Sequence, residues 1–223
     1  MAGAFSTLSE ADSKALVAAH GIPVPREHLA STAADAARAA DDLGYPVVVK
    51  LCGDAIAHKT ERGLVRLGIT SAADVESAAS ELLAAARPED GDVQVLVAPM
   101  LRGTRELIAG LNHDPQFGMT VMLGIGGILA ESIADVTFRL VPIDRVDAEE
   151  MIDDLAAQTL LGPFRGEPAV DRERVMDVLV GLSRAAEADP SIVSVDLNPL
   201  IVVDGVPIAV DALVEVALVE VQR

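Results

Sequence analysis

The chain has no tryptophan, one tyrosine and four phenylalanines, so aromatic side chains make up 2% of its 223 residues. Stacking on an aromatic platform is thereby disfavoured, and a nucleotide base would have to lie among aliphatic side chains. Basic residues are scarce as well: 17 Lys and Arg stand against 35 Asp and Glu, a net charge of -18. Such a field repels nucleic acid and anionic membrane, and any polyphosphate ligand has to be met by a local cationic pocket. The single cysteine, Cys52, excludes an internal disulfide and reads as a small buried residue rather than a nucleophile, in keeping with a reducing cytoplasm. No run reaches the roughly 20 apolar residues that cross a bilayer. Met1 to Ser6 carries no basic stretch followed by an apolar one, so the sequence reads as a soluble, unprocessed, cytoplasmic protein. His20, His28 and His113 show no second ligand at metal spacing, which gives no support to a zinc site.

What is present is aliphatic. Hydrophobic residues make up 51% of the chain, enough to build one large domain or two small lobes. Ser9-Glu10-Ala11-Asp12 resembles a capping box and starts a helix over about 9–20, stopped by Gly21 and the prolines at 23 and 25. A second helix follows Ser31-Thr32 and ends at Gly44 and Pro46, where a buried strand begins with Val47-Val48-Val49. Val65 to Ile69 and Val93 to Val97 read as further strands, separated by a helix that starts after Ser71. An α/β lobe over 1–98 is therefore expected. A second lobe over 99–223 opens with strands at Glu106–Gly110 and Thr120–Leu123, continues in apolar runs to Val141, and closes with a helix from Asp171 to about Ala188 and strands near 192–203 and 206–211.

Four features bear on chemistry. Lys50 closes an apolar strand, where it either reaches solvent or binds an anion such as phosphate. Gly124-Ile125-Gly126-Gly127 follows a strand; it reads as a tight turn or as a set of backbone N–H groups for phosphate, and its spacing differs from the dinucleotide fingerprint. Val203-Asp204-Gly205-Val206 is a two-residue hairpin turn of type I′. Continued along both strands, its register sets Asn198 opposite Asp211, with Asp196 two residues away on the same face. Oxygen donors of this kind suit magnesium, and equally the two aspartates read as strand-end residues facing water. His58 lies in a polar, glycine-bounded loop; it is a solvated surface residue or a nucleophile whose imidazole, with an ordinary pKa of about 6.5, is largely neutral at pH 7. Glu106, Glu131 and Arg139 share the second lobe, each also readable as an exposed strand residue.

Taken in order, Lys14-Ala15-Leu16, Gly21-Ile22-Pro23-Val24-Pro25, Gly44-Tyr45-Pro46-Val47-Val48-Val49-Lys50 and His58-Lys59-Thr60-Glu61 form a series. It continues in Asp114-Pro115-Gln116-Phe117-Gly118, Gly124-Ile125-Gly126-Gly127, Asp135-Val136-Thr137-Phe138-Arg139-Leu140 and Asp196-Leu197-Asn198-Pro199-Leu200. This series resembles the ATP-grasp β subunits of ADP-forming (NDP-forming) acyl-CoA synthetases, the family of acetate-CoA ligase (ADP-forming), and more distantly succinyl-CoA synthetase β chains. The resemblance covers nearly the whole chain. It implies an α/β ATP-grasp fold of two lobes with ATP or ADP in the cleft between them. It further implies that Lys50 contacts the nucleotide phosphates, that the hinge from Val97 through Ala98 and Met100 to Leu101 meets the adenine, and that Glu106 holds the ribose. Gly126 and Gly127 join the nucleotide-binding set, Asn198 and Asp211 with Asp196 hold Mg2+, and His58 carries a phosphoryl group, with Arg139 and Glu131 as further catalytic candidates. The implied reaction, acyl-CoA, ADP and phosphate to acid, CoA and ATP, is reversible and requires a CoA-binding α subunit, because no CoA-binding unit is recognisable here. Departures are Gly63-Leu64 where a double glycine is usual, Met119 where proline is common, and Ala98 in the hinge. Two rivals are a regulatory ATP-grasp-like module of an acyltransferase system and an ATP-grasp carboxylate ligase without a histidine relay.

Overall fold

Ser and Thr residues placed ahead of alanine-rich stretches start the amino-terminal helices, as their sequence positions suggest. The computed structural model describes residues 5–53, 56, 59, 62–127 and 134–218. Thr32 accepts the Asp35 N–H and Ser71 accepts the Asp74 N–H, each satisfying an otherwise unpaired first-turn donor. In chain order the elements are β1 (Phe5–Thr7), α1 (Glu10–Ala19), β2 (His28–Ala30), α2 (Ala33–Leu43), β3 (Val47–Cys52), β4 (Val65–Ile69), α3 (Ala72–Ala84), β5 (Gln94–Pro99), β6 (Glu106–Asp114) and β7 (Gly118–Ile125). They continue with β8 (Val136–Leu140), α4 (Arg145–Asp153), α5 (Gln158–Leu161), α6 (Arg172–Ala188), β9 (Ile192–Val203), β10 (Val206–Ala209) and β11 (Leu213–Ala217). Among the described residues no helix is long and apolar enough to cross a membrane.

The chain forms two compact units that interleave in sequence: Thr7–Asp12 with Pro25–Met100, and Met1–Ser6 and Ser13–Val24 with Leu101–Arg223. The sequence pattern suggests a linear division at residues 98 and 99. Residues 13–24 join the carboxy-terminal part through hydrogen bonds that satisfy backbone N–H groups there: Ala209 N donates to Pro23 O, and Val214 N to Ser13 Oγ.

In the smaller unit an antiparallel sheet of order β2-β5-β3-β4 carries α2 and α3 on one face. Val47, Val49, Leu51, Val95 and Val97 point into that helix layer and bury against Ala36, Ala40, Val75, Ala79 and Leu82. Each such aliphatic side chain contributes about 1.5–3 kcal/mol, less for alanine. The strand period of two then puts Lys50 on the other face.

The larger unit is built on a sheet of order β1-β11-β9-β6-β7-β8, with β10 also paired to β9. Leu107, Ala109, Leu111, Val121, Leu123, Val195 and Leu197 are buried on one face, toward which α6 packs with Val175, Leu179 and Leu182. The hairpin has the anticipated turn, with Asp204 and Gly205 both at positive φ. Its pairs run Val206 to Val203 through Ala209 to Leu200. Strand β10 then stops two residues short of the expected limit at 211, and β11 resumes the same register with Leu213 opposite Asp196 and Val214 opposite Val195. The short strands β1, β2, β8 and β11 and the helices α4 and α5 carry too little periodicity to be read from sequence alone.

Candidate active site

Lysine occurs three times in the chain, at 14, 50 and 59, and Lys50 and Lys59 meet at a single carboxylate. Lys50 Nζ donates to Glu10 Oε1 at 2.6 Å, and Lys59 Nζ donates to Glu10 Oε2 at 2.6 Å. The Glu10 side chain is fully buried, while the two lysine side chains keep 12% and 10% of their exposure. Removing a carboxylate from water this completely requires paired cations. Glu10 is absent from the residues singled out by sequence. The available signal is its place in the capping box: Ser9 exchanges hydrogen bonds with Asp12, which leaves Glu10 at the first helical position with no capping role. Cys52 lies beside the cluster, and burial raises its thiol above the usual range, in line with a packing residue rather than a nucleophile.

Lys59 belongs to the loop between β3 and β4. His58 and residues 54, 55, 57, 60 and 61 lie outside the described residues. The described points of this loop are firmly held. Ile56 is 3% exposed, Leu64 N donates to Lys59 O at 2.8 Å, and Arg62 makes two hydrogen bonds to Asp90 at 2.7 and 2.9 Å. Asp90 also accepts the Arg87 N–H at 2.8 Å. The Arg62 guanidinium, then this N–H, hold the Asp90 carboxyl down at about 2, against a usual 3.8. A carboxyl depressed by folding contributes stability that is present above the ordinary value and lost as pH falls through the folded one. The stability gap between the wild type and Asp90→Asn should therefore be full above about pH 4 and close as pH falls toward about 2, measured by urea unfolding at each pH. A gap independent of pH over that window would contradict the assignment.

The hinge candidates lie on the strand paired with that of Lys50. Ala98 is opposite Val48 and Val97 opposite Val49, and Met100 N donates to Pro46 O at 2.9 Å. By alternation Ala98 and Lys50 share the face away from α2 and α3, whereas the Val97 side chain lies in the core.

In the larger unit, the β9–β10 register and its resumption in β11 bracket Asn198 and Asp211, and Val210 N donates to Pro199 O between them. Asp196 and Asn198 are both exposed while Val195 and Leu197 are buried, so both polar side chains lie on the face away from α6. Gly110 is opposite Asp196, and a Cβ there would lie 2.3 Å from Val195 O, so only glycine lets the two strands approach at this point. Partial burial, then the nearby charge of Asp211, raises the Asp196 carboxyl above the usual 3.8. Two carboxylates that repel each other beside an amide oxygen form a donor set that fits a hard divalent cation such as magnesium. Among the described residues there is no group of three His, Cys, Asp or Glu that could hold a metal, so an ion here would need Asn198, ligand phosphate and water to complete its shell.

Glu106 and the glycine segment come together. Gly126 N donates to Glu106 O at 2.8 Å, and a Cβ on Gly126 or Gly127 would meet Glu106 at 3.1 or 4.0 Å. Arg139 is placed elsewhere. The row Asp196, Gly110, Met122, Phe138 shares one face, so Arg139, opposite the buried Val121, is on the helix side. There it pairs with Asp154 at 2.7 Å and Glu150 at 3.6 Å on and beside α4. Glu131 lies outside the described residues.

The ATP-grasp domain family matches residues 2–216. The β subunit of acetate–CoA ligase [ADP-forming] II from Pyrococcus furiosus is 39% identical over 201 residues, which span 88% of this chain and 85% of that one. Two structures of a dinucleotide-forming acetyl-coenzyme A synthetase 1 from Ca. Korarchaeum cryptofilum each cover 96% of this chain. One, with coenzyme A, acetyl-coenzyme A and a phosphorylated phosphohistidine segment in its site I orientation, superposes with a TM-score of 0.82 at 32% identity over 94% of that chain. The other, with coenzyme A and Mg-AMPPCP and its phosphohistidine segment pointing towards the nucleotide binding site, gives 0.81 at 34% over 93%.

Proposed function

We propose, from the premise that this chain belongs to the ATP-grasp family, that it is the nucleotide-binding β subunit of an ADP-forming acyl-CoA synthetase. The observation that carries this reading is the convergence of Lys50 and Lys59 on Glu10, which ties a strand lysine suited to phosphate to the residue that follows His58. In a chain of net charge -18, Lys50 and Lys59 gathered at one point make the local cationic site that a polyphosphate requires.

In this reading Lys50 holds the transferring phosphates, the backbone from Val97 to Leu101 meets the base, and Glu106, packed against Gly126 and Gly127, binds the ribose. Asn198, Asp211 and Asp196 would hold magnesium, which supplies charge neutralisation for the polyphosphate. A ring nitrogen of His58 attacks the terminal phosphorus of ATP; the N–P bond forms as the P–O bond to ADP breaks, and ADP leaves. The reverse transfer makes ATP. Formation and use of the acyl phosphate belong to a CoA-binding α partner, which exchanges the phosphoryl group with His58.

Incubation with magnesium and ATP labelled at the terminal phosphate should place one acid-labile, base-stable label on the chain, and His58→Ala should carry none. With the α partner added, the same variant should lose acyl-CoA synthesis by roughly a thousandfold or more, as expected when a covalent carrier is removed. Full activity of His58→Ala would sink the relay.

A further inference from the structure

We propose that a cavity in the helix layer of the larger unit binds a phosphate dianion, free or as a small phosphomonoester, through Arg145, Arg184 and His20. The cavity measures about 230 Å³ and is lined by these three residues with Gly21, Asp177 and Val180. Three segments meet there. His20 and Gly21 follow the last turn of α1, Arg145 is the first residue of α4, and Asp177, Val180 and Arg184 recur on one face of α6. Gly181 sets the spacing: a Cβ on it would lie 2.8 Å from His20 O, so glycine lets α6 approach the turn after α1 this closely. Because α6 packs on the face of the sheet opposite Asp196 and Asn198, the sheet separates this cavity from the proposed magnesium site.

The side chains of this lining are set up to donate. Asp177 is its one acidic residue, and both carboxylate oxygens are occupied, Oδ1 by Arg145 Nη1 at 2.8 Å and Oδ2 by Arg174 Nη1 at 3.3 Å. Arg145 also donates from Nη2 to Glu173, and these contacts fix the direction of a guanidinium that still has N–H donors to spare. Among the described residues, the side chains of Arg184 and His20 have no hydrogen-bond or ion-pair partner. Two guanidiniums exclude a cation. A carboxylate is satisfied by one of them, whereas a phosphate dianion has enough oxygens for one guanidinium from α4, another from α6 and an imidazole N–H. Against the chain's net charge of -18, this is the local positive pocket such an anion requires. Its volume falls below the roughly 300 Å³ at which sites for drug-sized ligands begin, which suits phosphate or a small ester and not a nucleotide.

The test titrates the full chain, at fixed pH and physiological salt, with inorganic phosphate and separately with glycerol phosphate. Proton NMR follows the His20 imidazole, whose resonance is the one absent from His20→Gln. At least one of the two probes should shift it saturably at roughly millimolar concentration, and the tighter probe tells free phosphate from an ester. Arg184→Ala, a change at an exposed side chain, should weaken that binding by roughly tenfold or more, the scale of a lost charge-assisted hydrogen bond. Its affinity for magnesium-ADP, measured by calorimetry, should stay at the wild-type value. Asp211→Ala should leave the phosphate titration unchanged. No shift with either probe, or an equal titration in Arg184→Ala, overturns the proposal. An equal shift when chloride replaces phosphate at the same ionic strength also overturns it, because the effect is then one of salt alone. Loss of the shift in Asp211→Ala overturns it as well, since the anion would then be acting from the other face of the sheet.

Discussion

Asp211→Ala is expected to weaken magnesium-ADP binding by roughly a hundredfold while leaving the fold in place. Asp211 lies between β10 and β11, whose pairs with β9 on either side share one register that, continued, sets it opposite Asn198. Its charge also helps to raise the Asp196 carboxyl, after burial. In the proposed magnesium site its removal deletes one of two carboxylates, and a site left with one carboxylate and one amide would bind a strongly hydrated ion poorly. The strands themselves pair through backbone groups from Val206 to Ala209 and from Leu213 to Val216, so the sheet does not depend on this side chain. Asp211→Asn, which keeps an oxygen but removes the charge, should fall between the two. Calorimetry with magnesium-ADP measures the effect and far-ultraviolet circular dichroism checks the fold. Affinity equal to wild type in Asp211→Ala would remove the hairpin from the metal site.

The second large effect concerns stability. Glu10→Ala should lower the unfolding free energy by about 3–5 kcal/mol, the usual cost of deleting one partner of a buried ion pair. It leaves two ammonium groups, each little exposed, facing one another across the space of a missing carboxylate. Repulsion and lost hydrogen bonds then act together. Glu10→Gln fills the space and keeps one acceptor, so its loss should be smaller. Because the chain has no tryptophan, urea unfolding is best followed by circular dichroism. A loss below about 1 kcal/mol for Glu10→Ala would mean that water reaches the lysines and that the cluster is only a surface ion pair.

Much of the architecture was legible because it is local. Thr32 and Ser71 cap helices where their positions suggest, β4 runs from Val65 to Ile69 as its sequence reads, and the Asp204-Gly205 turn fixes the pairing of β9 with β10. Capping, strand period and turn type are all settled within a few residues, so one sequence suffices to read them. The placement of Asp196 and Asn198 on one face followed from the same rules.

The remainder depended on contacts between distant parts of the chain. Arg139 and Phe138 are neighbours in an unremarkable strand, and only the register across β7, β6 and β9 shows that Phe138, not Arg139, shares a face with Asp196. The helix that begins at Glu10 runs on to Ala19, yet Ser13 and Pro23 are hydrogen-bonded to Val214 and Ala209, about 190–200 residues away in sequence. Glu10 itself is separated from Lys50 and Lys59 by 40 and 49 residues. By itself the sequence determined the elements, the hairpin register and the family motifs, since these rest on backbone geometry and nearest neighbours. Only the tertiary structure decided which carboxylate neutralises the lysines, because burial and pairing of charge are properties of the whole packed unit.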